Sequence, residues 1–454
     1  MIKIYNTLNR KKEPFRPQKD KRISLYTCGP TVYWYAHIGN LRTYIFEDLL
    51  KRTLEYQNYK VKHAMNITDV GHLTSDQDTG EDKMIKGAKR EKKTVWEIAD
   101  FYTKAFKEDS EKLNIKKPDI WPKATDYIKE QIKLIKTLEK KGFTYKIEDG
   151  IYFDTSKMPD YGKMAGKRKH AKARIKQIKG KKNPADFALW KLTKPGVKRQ
   201  MEWDSPWGKG FPGWHTECVV MAAENLGLPL DIHCGGIDHL TVHHPNEIAQ
   251  AKAGYGKKLA NYWLHGEFLV LKKGRMGKSE GNIIILKDLE QKGFDPLSYR
   301  YLCLGTHYRK KLTFSWEILE SSQNSFENLK EKISELKRTP KKVSKKYQKK
   351  FLEFLSEDLN VPRSLALAWD LIKDKNVSES EKYNTLIEFD KIFGLNLKGI
   401  KLTKVPKKIK ELVQKRENYR KEKSWQKADK IREDIEKQGF EIEDTAQGPK
   451  IKKS

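Results

Sequence analysis

Cys28, Cys218, His243 and Glu247 offer sulfur, sulfur, nitrogen and oxygen, a donor set suited to a soft divalent metal. His243 and Glu247 stand four residues apart, so one helical face presents both. His233, His244 and Cys234 are of the same types and compete for the role, and Cys218 reads equally well as a small buried hydrophobe. Cys28 also opens a stretch suited to phosphate. In CGPTVYWYAHIGNLRT, residues 28–43, Gly29 and Pro30 turn the chain sharply and Gly39 lets the backbone approach an anion. A helix opening at Asn40 offers N–H groups and the positive end of its dipole, and His37 is placed to donate to a phosphate oxygen. KKGRMGKSEGN, residues 272–282, sets Lys278 and Ser279 on a basic, glycine-flanked loop able to close over phosphates. Each piece alone describes an ordinary loop. Their order along the chain is what suggests phosphoryl chemistry.

Hydrophobic periodicity indicates the elements that must hold these residues. RISLYT (22–27) alternates as a strand, LRTYIFEDLLKRTLEYQ (41–57) repeats apolar residues at helical spacing, and KVKHAMNIT (60–68) is a second strand. Strand, helix, strand makes one right-handed parallel crossover, and ligands of such sheets bind beyond the carboxyl ends of the strands. Cys28, the glycines and Thr68 all fall there. Residues 122–195 read as an insertion with a helix, a hairpin (TYKIEDGIYFD) and a basic loop at 167–182, a solvated stretch with RNA contact as the sharper alternative. Next come a helix carrying Trp214 and Cys218, a buried strand ending in Gly235, Gly236 and Asp238, and a helix entered near Pro245. WLHGEFLVL (263–271) is expected as one more strand. Beyond Ser315 the pattern is an antiparallel helical bundle, then a lysine-rich linker (401–410), one last helix (425–439) and short strands.

With 454 residues the chain exceeds one compact core. Four widely spaced cysteines make no disulfide framework, no run of eighteen apolar residues exists, and the first residues lack the apolar centre of a signal peptide. A soluble, cytoplasmic protein with no membrane association is expected. The net charge of +32 suits a polyanionic partner, although a lysine-rich composition also coats surfaces without one.

The stretches CGPTVYWYAHIGNLRTY, NITD, NPADFALWK, WDSPWGKGFPGWHTEC, DIHCGGID, HHPNEIAQ, RMGKSEGN, SEDLNVPRSLALAWDL and KADKIREDIEKQGFEIEDTAQG together resemble cysteinyl-tRNA synthetase, a class I aminoacyl-tRNA synthetase. The resemblance runs from the first residues to the last few. It implies one zinc per chain on Cys28, Cys218, His243 and Glu247. It implies catalysis by His37, Asn40 and Lys278, and ATP binding, with Mg2+, by those three together with Gly39, Gly236, Asp238 and Ser279. Gly29, Thr68, Trp214 and His233 line the amino-acid pocket in that reading, and the partners are L-cysteine, ATP and tRNA(Cys), with the protein a monomer. The implied fold class is α/β: a Rossmann-type parallel-sheet catalytic domain with an insertion, followed by an α-helical bundle and a small C-terminal α+β domain. The expected divisions are 1–121 and 199–265 for the two catalytic halves, 122–198 for the insertion and 266–322 for the signature-loop and stem-contact region. Residues 323–400 form the tRNA-binding bundle and 401–454 the anticodon unit. The chain departs from the family pattern in three places: Asn40 for a histidine, Gly277 with Arg275 in the second signature, and Cys234 for a glycine. Rival readings are a ligase joining cysteine to an amino sugar and a non-catalytic zinc-containing RNA-binding protein.

Overall fold

The computed structural model describes residues 2–71, 82–166, 178–194, 196, 199–272, 282–340, 342–400, 406–445 and 448–453. β1 (Lys3–Asn6) and β2 (Lys11–Pro14) form an antiparallel ribbon. The crossover then follows as β3 (Arg22–Thr27), α1 (Ile38–Tyr56) and β4 (Lys60–Met65), with β3 and β4 parallel. α1 starts at Ile38, earlier than expected from Asn40, because His37 and Asn40 cap each other. The Asn40 N–H donates to His37 Nδ1 at 3.2 Å, and the His37 N–H donates to Asn40 Oδ1 at 3.3 Å.

α2 (Lys83–Glu91) and α3 (Val95–Lys112) lead to the insertion. There α4 (Ile128–Lys140) precedes the hairpin β5 (Thr144–Ile147) and β6 (Gly150–Phe153). β7 (Phe187–Leu192) and β8 (Gly210–Pro212) extend this hairpin into a four-stranded antiparallel sheet, and β8 lies beyond residue 198. α5 (Trp214–Leu226), β9 (Leu230–Gly236), α6 (His243–Gln250) and β10 (Ala260–Gly266) complete the parallel sheet, in the order β10-β9-β3-β4.

The strand expected over 263–271 is two strands. β11 (Leu269–Leu271) leaves the main sheet and pairs with β12 (Leu312–Phe314), after α7 (Leu286–Gln291) and α8 (Pro296–Leu304). The break occurs because the buried Arg42 of α1 draws the Glu267 and Phe268 carbonyls to its guanidinium, each at 2.5 Å. The Phe268 carbonyl also accepts from Leu312 N at 3.0 Å, so from this point the chain pairs with β12 instead of the main sheet.

α9 (Trp316–Ser334), α10 (Lys345–Ser356), α11 (Val361–Lys373) and α12 (Glu379–Phe393) form the helical bundle. Their apolar faces join α1, α3 and α8 in one core. The supposed linker and single last helix are in fact two helices, α13 (Lys407–Lys421) and α14 (Trp425–Glu436), before the hairpin β13 (Phe440–Thr445) and β14 (Gly448–Lys453). α13 hides in lysine because only a narrow stripe, Ile409 and Val413, is apolar and buried, and it packs against Ile431, Ile435, Phe440 and Ile442. Among the described residues no helix is long and apolar enough to cross a membrane.

Candidate functional site

β3 delivers Cys28 to the carboxyl edge of the sheet, where it is buried. Gly29 follows, and its N–H donates to Asn66 Oδ1 at 2.9 Å. A Cβ at this position would overlap the Asn66 carbonyl oxygen, so only glycine lets the two strand ends close. Thr68 is buried on the adjoining strand end and takes a hydrogen bond from Asn66 Nδ2 at 2.9 Å. α5 carries Trp214 in its first turn and Cys218 one turn on, while α6 places His243 and Glu247 one turn apart.

The ligand atoms of Cys28, Cys218, His243 and Glu247 all lie within 4.8 Å of one another, and all four residues are buried. A second group, Cys28, His233, His244 and Glu247, meets the same limit. The two groups share Cys28 and Glu247. Chemistry favours the first for a cation, because its two sulfurs are a softer donor pair. His233 Nε2 is engaged with Glu247 Oε2 at 2.8 Å, while His244 Nε2 faces Cys28 Sγ at 3.5 Å and its Nδ1 meets His265 Nε2 at 2.8 Å. Cys234 belongs to neither group. Side chains alternate along β9, so His233 faces the site while Ile232 and Cys234 pack into the apolar core on the other side.

His243 Nε2 and Glu247 Oε1 are 2.8 Å apart, yet neither forms a directed hydrogen bond and both are sealed from solvent. A buried ion pair this short that lacks hydrogen-bond geometry fits a cation shared by the two atoms. The electrostatics agree. Burial pushes the Cys28 thiol up, whereas the hydrogen bond from Cys28, with help from His243, brings Cys218 down to about 6. Burial opposes charge on His243, but Glu247 and the Cys218 sulfur raise it to about 10. Glu247, against its own burial, is held well below the usual carboxylate range by His243 and His233. The Cys218 sulfur and the Glu247 carboxylate are thus both shifted toward their charged forms, as donors to a cation need.

Two further histidines, His215 and His265, serve this site and went unread in the sequence. His215 Nδ1 meets His243 Nδ1 at 2.8 Å and so orients that ring. His244 leans on His265, whose Nδ1 meets Thr7 Oγ1 at 2.9 Å. Six of the chain's 11 histidines, at 215, 233, 239, 243, 244 and 265, crowd within about fifty residues, and that density was the available signal. Trp214 stacks on His243 with ring centroids 4.3 Å apart, and His233 stacks on Trp263 at 4.7 Å.

On the other side of the β3–α1 connection, His37 is half-buried at the cap and Asn40 is exposed in the first turn. The cap settles their hydrogens. Since His37 Nδ1 accepts from the backbone, the neutral ring carries its proton on Nε2, and since Asn40 Oδ1 accepts, its NH2 points away as a donor. Gly236 ends β9, and the Asp238 side chain just after it is 63% exposed. Lys278 and Ser279 lie outside the described residues.

Residues 14–324 match the family tRNA synthetases class I (C) catalytic domain. The cysteine-tRNA ligase 1 of Burkholderia lata is 47% identical over 455 residues, 99% of this chain and 96% of its own. The cysteine-tRNA ligase of Treponema denticola is 44% identical, over 98% of each chain, and that of Borreliella burgdorferi 42%, over 100% of each. Among solved structures, a Mycobacterium tuberculosis methionyl-tRNA synthetase in complex with methionyl-adenylate shares the fold, with a TM-score of 0.54 at 14% identity over 82% of this chain and 90% of its own. An end-to-end likeness of this degree, carried on the same catalytic domain, means that the chain belongs to the cysteine-tRNA ligase family of class I tRNA synthetases.

Proposed function

We propose that this protein attaches L-cysteine to tRNA(Cys), using ATP and passing through cysteinyl-adenylate. The observation that carries the reading is one connection, β3 to α1, with a buried metal-type donor at its start and an anion-binding helix turn at its end. The cysteine carboxylate attacks the α-phosphate of ATP, the bond to pyrophosphate breaks, and the acyl group then passes to a hydroxyl of the terminal adenosine of the tRNA. His37 Nε2, the Asn40 amide and the N–H groups opening α1 stabilise the charge gathering on the phosphate, together with Lys278 and Ser279 of the second signature loop and the Mg2+ that accompanies ATP. Gly236 and Asp238 hold the ribose. Gly29, Thr68, Trp214 and His233 enclose the amino acid.

Cys28, Cys218, His243 and Glu247 hold one zinc ion. When bound, it supplies a soft Lewis acid that favours a thiolate over a hydroxyl. Shape alone separates cysteine from serine or alanine by only about ten- to two-hundred-fold, so the chemical preference removes the need for an editing domain. The protein works as a monomer in the cytoplasm. Residues 1–121 and 199–265 build the catalytic halves, 122–198 the insertion, 266–322 the signature-loop and stem-contact region, 323–400 a tRNA-binding bundle and 401–454 the anticodon unit.

Exchange of labelled pyrophosphate into ATP tests the reading, with charging of tRNA measured beside it. Cysteine is expected to support exchange while serine and alanine do not. Exchange without tRNA charging would favour an amino-sugar acceptor, and no exchange at all a non-catalytic RNA-binding protein.

A further inference from the structure

The turn between α2 and α3 carries a groove of about 420 Å3 that none of the roles above uses. Ile85, Ala88 and Val95 form its apolar floor, and Lys89, Lys92 and Lys93 line it. Beside it stand Trp96, 45% exposed, and Phe101, 40% exposed, two of the four large hydrophobic side chains exposed among the described residues. Lys93 Nζ sits 4.5 Å from the centre of the Phe101 ring. Neighbouring carboxylates are already engaged: Glu97 accepts from Thr94 N and Oγ1, each at 2.8 Å, Glu91 from Tyr102 at 2.8 Å, and Asp100 pairs with Lys123 at 3.1 Å. Glu97 lines the groove too, so among the described residues the lining sets three lysines against one carboxylate.

The groove is rigidly joined to the roof of the active site. Arg90 of α2 lies 3.6 Å from the centre of the Trp34 ring and donates to the Tyr33 carbonyl at 3.3 Å, and both partners belong to the loop between Cys28 and His37. Gln200 Oε1 accepts from Val95 N at 2.8 Å and fixes the start of α3 to the chain returning from the insertion. A strand lying in the groove is thus separated from that loop by one helix, about 10 Å.

We propose that this groove binds the single-stranded 3′ end of the substrate tRNA on its way to the active site, an inference that rests on the function given above. Exposed aromatic faces offer stacking surfaces for unpaired bases, and compact lysine ammoniums pair with phosphates along a flexible backbone. A duplex stem has no free base faces for Trp96 and Phe101.

Binding of intact tRNA(Cys), and of the same tRNA lacking its last four nucleotides, tests this with the Lys92→Glu/Lys93→Glu and Trp96→Ala variants of the full chain. All these side chains are exposed, and thermal unfolding checks that the variants fold. The charge reversal is expected to weaken intact tRNA about tenfold and to lower the salt slope by about 1.4, the value for two phosphates of a single strand. Trp96→Ala is expected to weaken it about fivefold or more, within the range of one base stack. Shortened tRNA should bind the wild type and both variants alike, and cysteine-dependent pyrophosphate exchange should stay within twofold of wild type. Equal binding of intact tRNA by wild type and variants overturns the proposal, and so does a loss that persists with the shortened tRNA, which would mark a stem or general charge contact. A wild type without cysteine-dependent exchange overturns the functional reading instead, and the binding comparison still stands.

Discussion

Cys218 is the residue on which thiol chemistry turns, because its sulfur is drawn down to about 6 by Cys28 and His243, whereas burial pushes Cys28 up. Cys218→Ser replaces a soft donor by a hydroxyl of nearly the same size. Metal content should fall from about one zinc per chain, and cysteine activation should weaken much more than ATP binding. Equal losses in the two would count against direct recognition of the thiol. Asn40 has a different part from the one its exposed position suggests. It is one half of the cap that sets the His37 tautomer, so its amide both holds the helix start and presents a donor. The donor types were legible in the sequence, whereas the choice between two overlapping ligand groups was not. That choice depends on Cys218 meeting Cys28 in space, and on His215 and His265, which hold the rings of His243 and His244 from other elements.

Elements are fixed against one another by buried charge. Arg300 of α8 is fully buried and donates to Asp48 of α1 at 2.5 Å, to Phe393 O of α12 at 2.6 Å and to Leu113 O at 2.9 Å, and Arg52 of α1 meets the same Asp48 at 2.7 Å. Tyr299, the preceding residue, donates to Ile38 O in the first turn of α1 at 2.6 Å. α8 therefore grips α1 at its first turn and at its middle while touching the bundle. Arg300→Met should cost about 3–5 kcal/mol in urea unfolding, since it strands a buried carboxylate and several carbonyls. A loss below about 1 kcal/mol would show that the node contributes little. A second anchor is Asp358, in the turn from α10 to α11, which accepts from Tyr5 N, Tyr308 OH and Arg309 Nε at 2.7–2.8 Å. It and Leu359 both adopt left-handed φ, +60° and +54°, a strained pair held by those bonds. Between β3 and β4, Thr27 Oγ1 meets His63 Nε2 at 3.0 Å, and burial, with Lys51 nearby, lowers His63 from 6.5 to about 3. The folded chain lacks a proton that the unfolded chain binds between those values. Stability from this group is complete above about pH 7 and should fall, as pH drops toward 3, by about 1.4 kcal/mol per unit. His63→Gln should flatten thermal unfolding between pH 6.5 and 4, and an unchanged slope would refute the assignment.

At the scale of the whole molecule, the last unit has its own core, from Ile409 to Ile442, apart from the cores that join the sheet, insertion and bundle. Removing residues 401–454 should therefore leave a folded remainder that retains cysteine-dependent pyrophosphate exchange but charges tRNA poorly. If a stably folded truncation loses exchange, the division of labour is wrong. The sequence by itself determined the crossover, the bundle and the donor types, because strand alternation, helical spacing and residue chemistry are local and survive without knowledge of the fold. It also held enough motifs, in order, to point to the family. Where strands break, which face of β9 carries Cys234 and where the helices of the last unit begin came from the folded chain alone. Each of those rests on a partner far away in the chain: Arg42 on the Glu267 and Phe268 carbonyls, the apolar core behind Cys234, and the packing that gives lysine-rich α13 its narrow buried stripe.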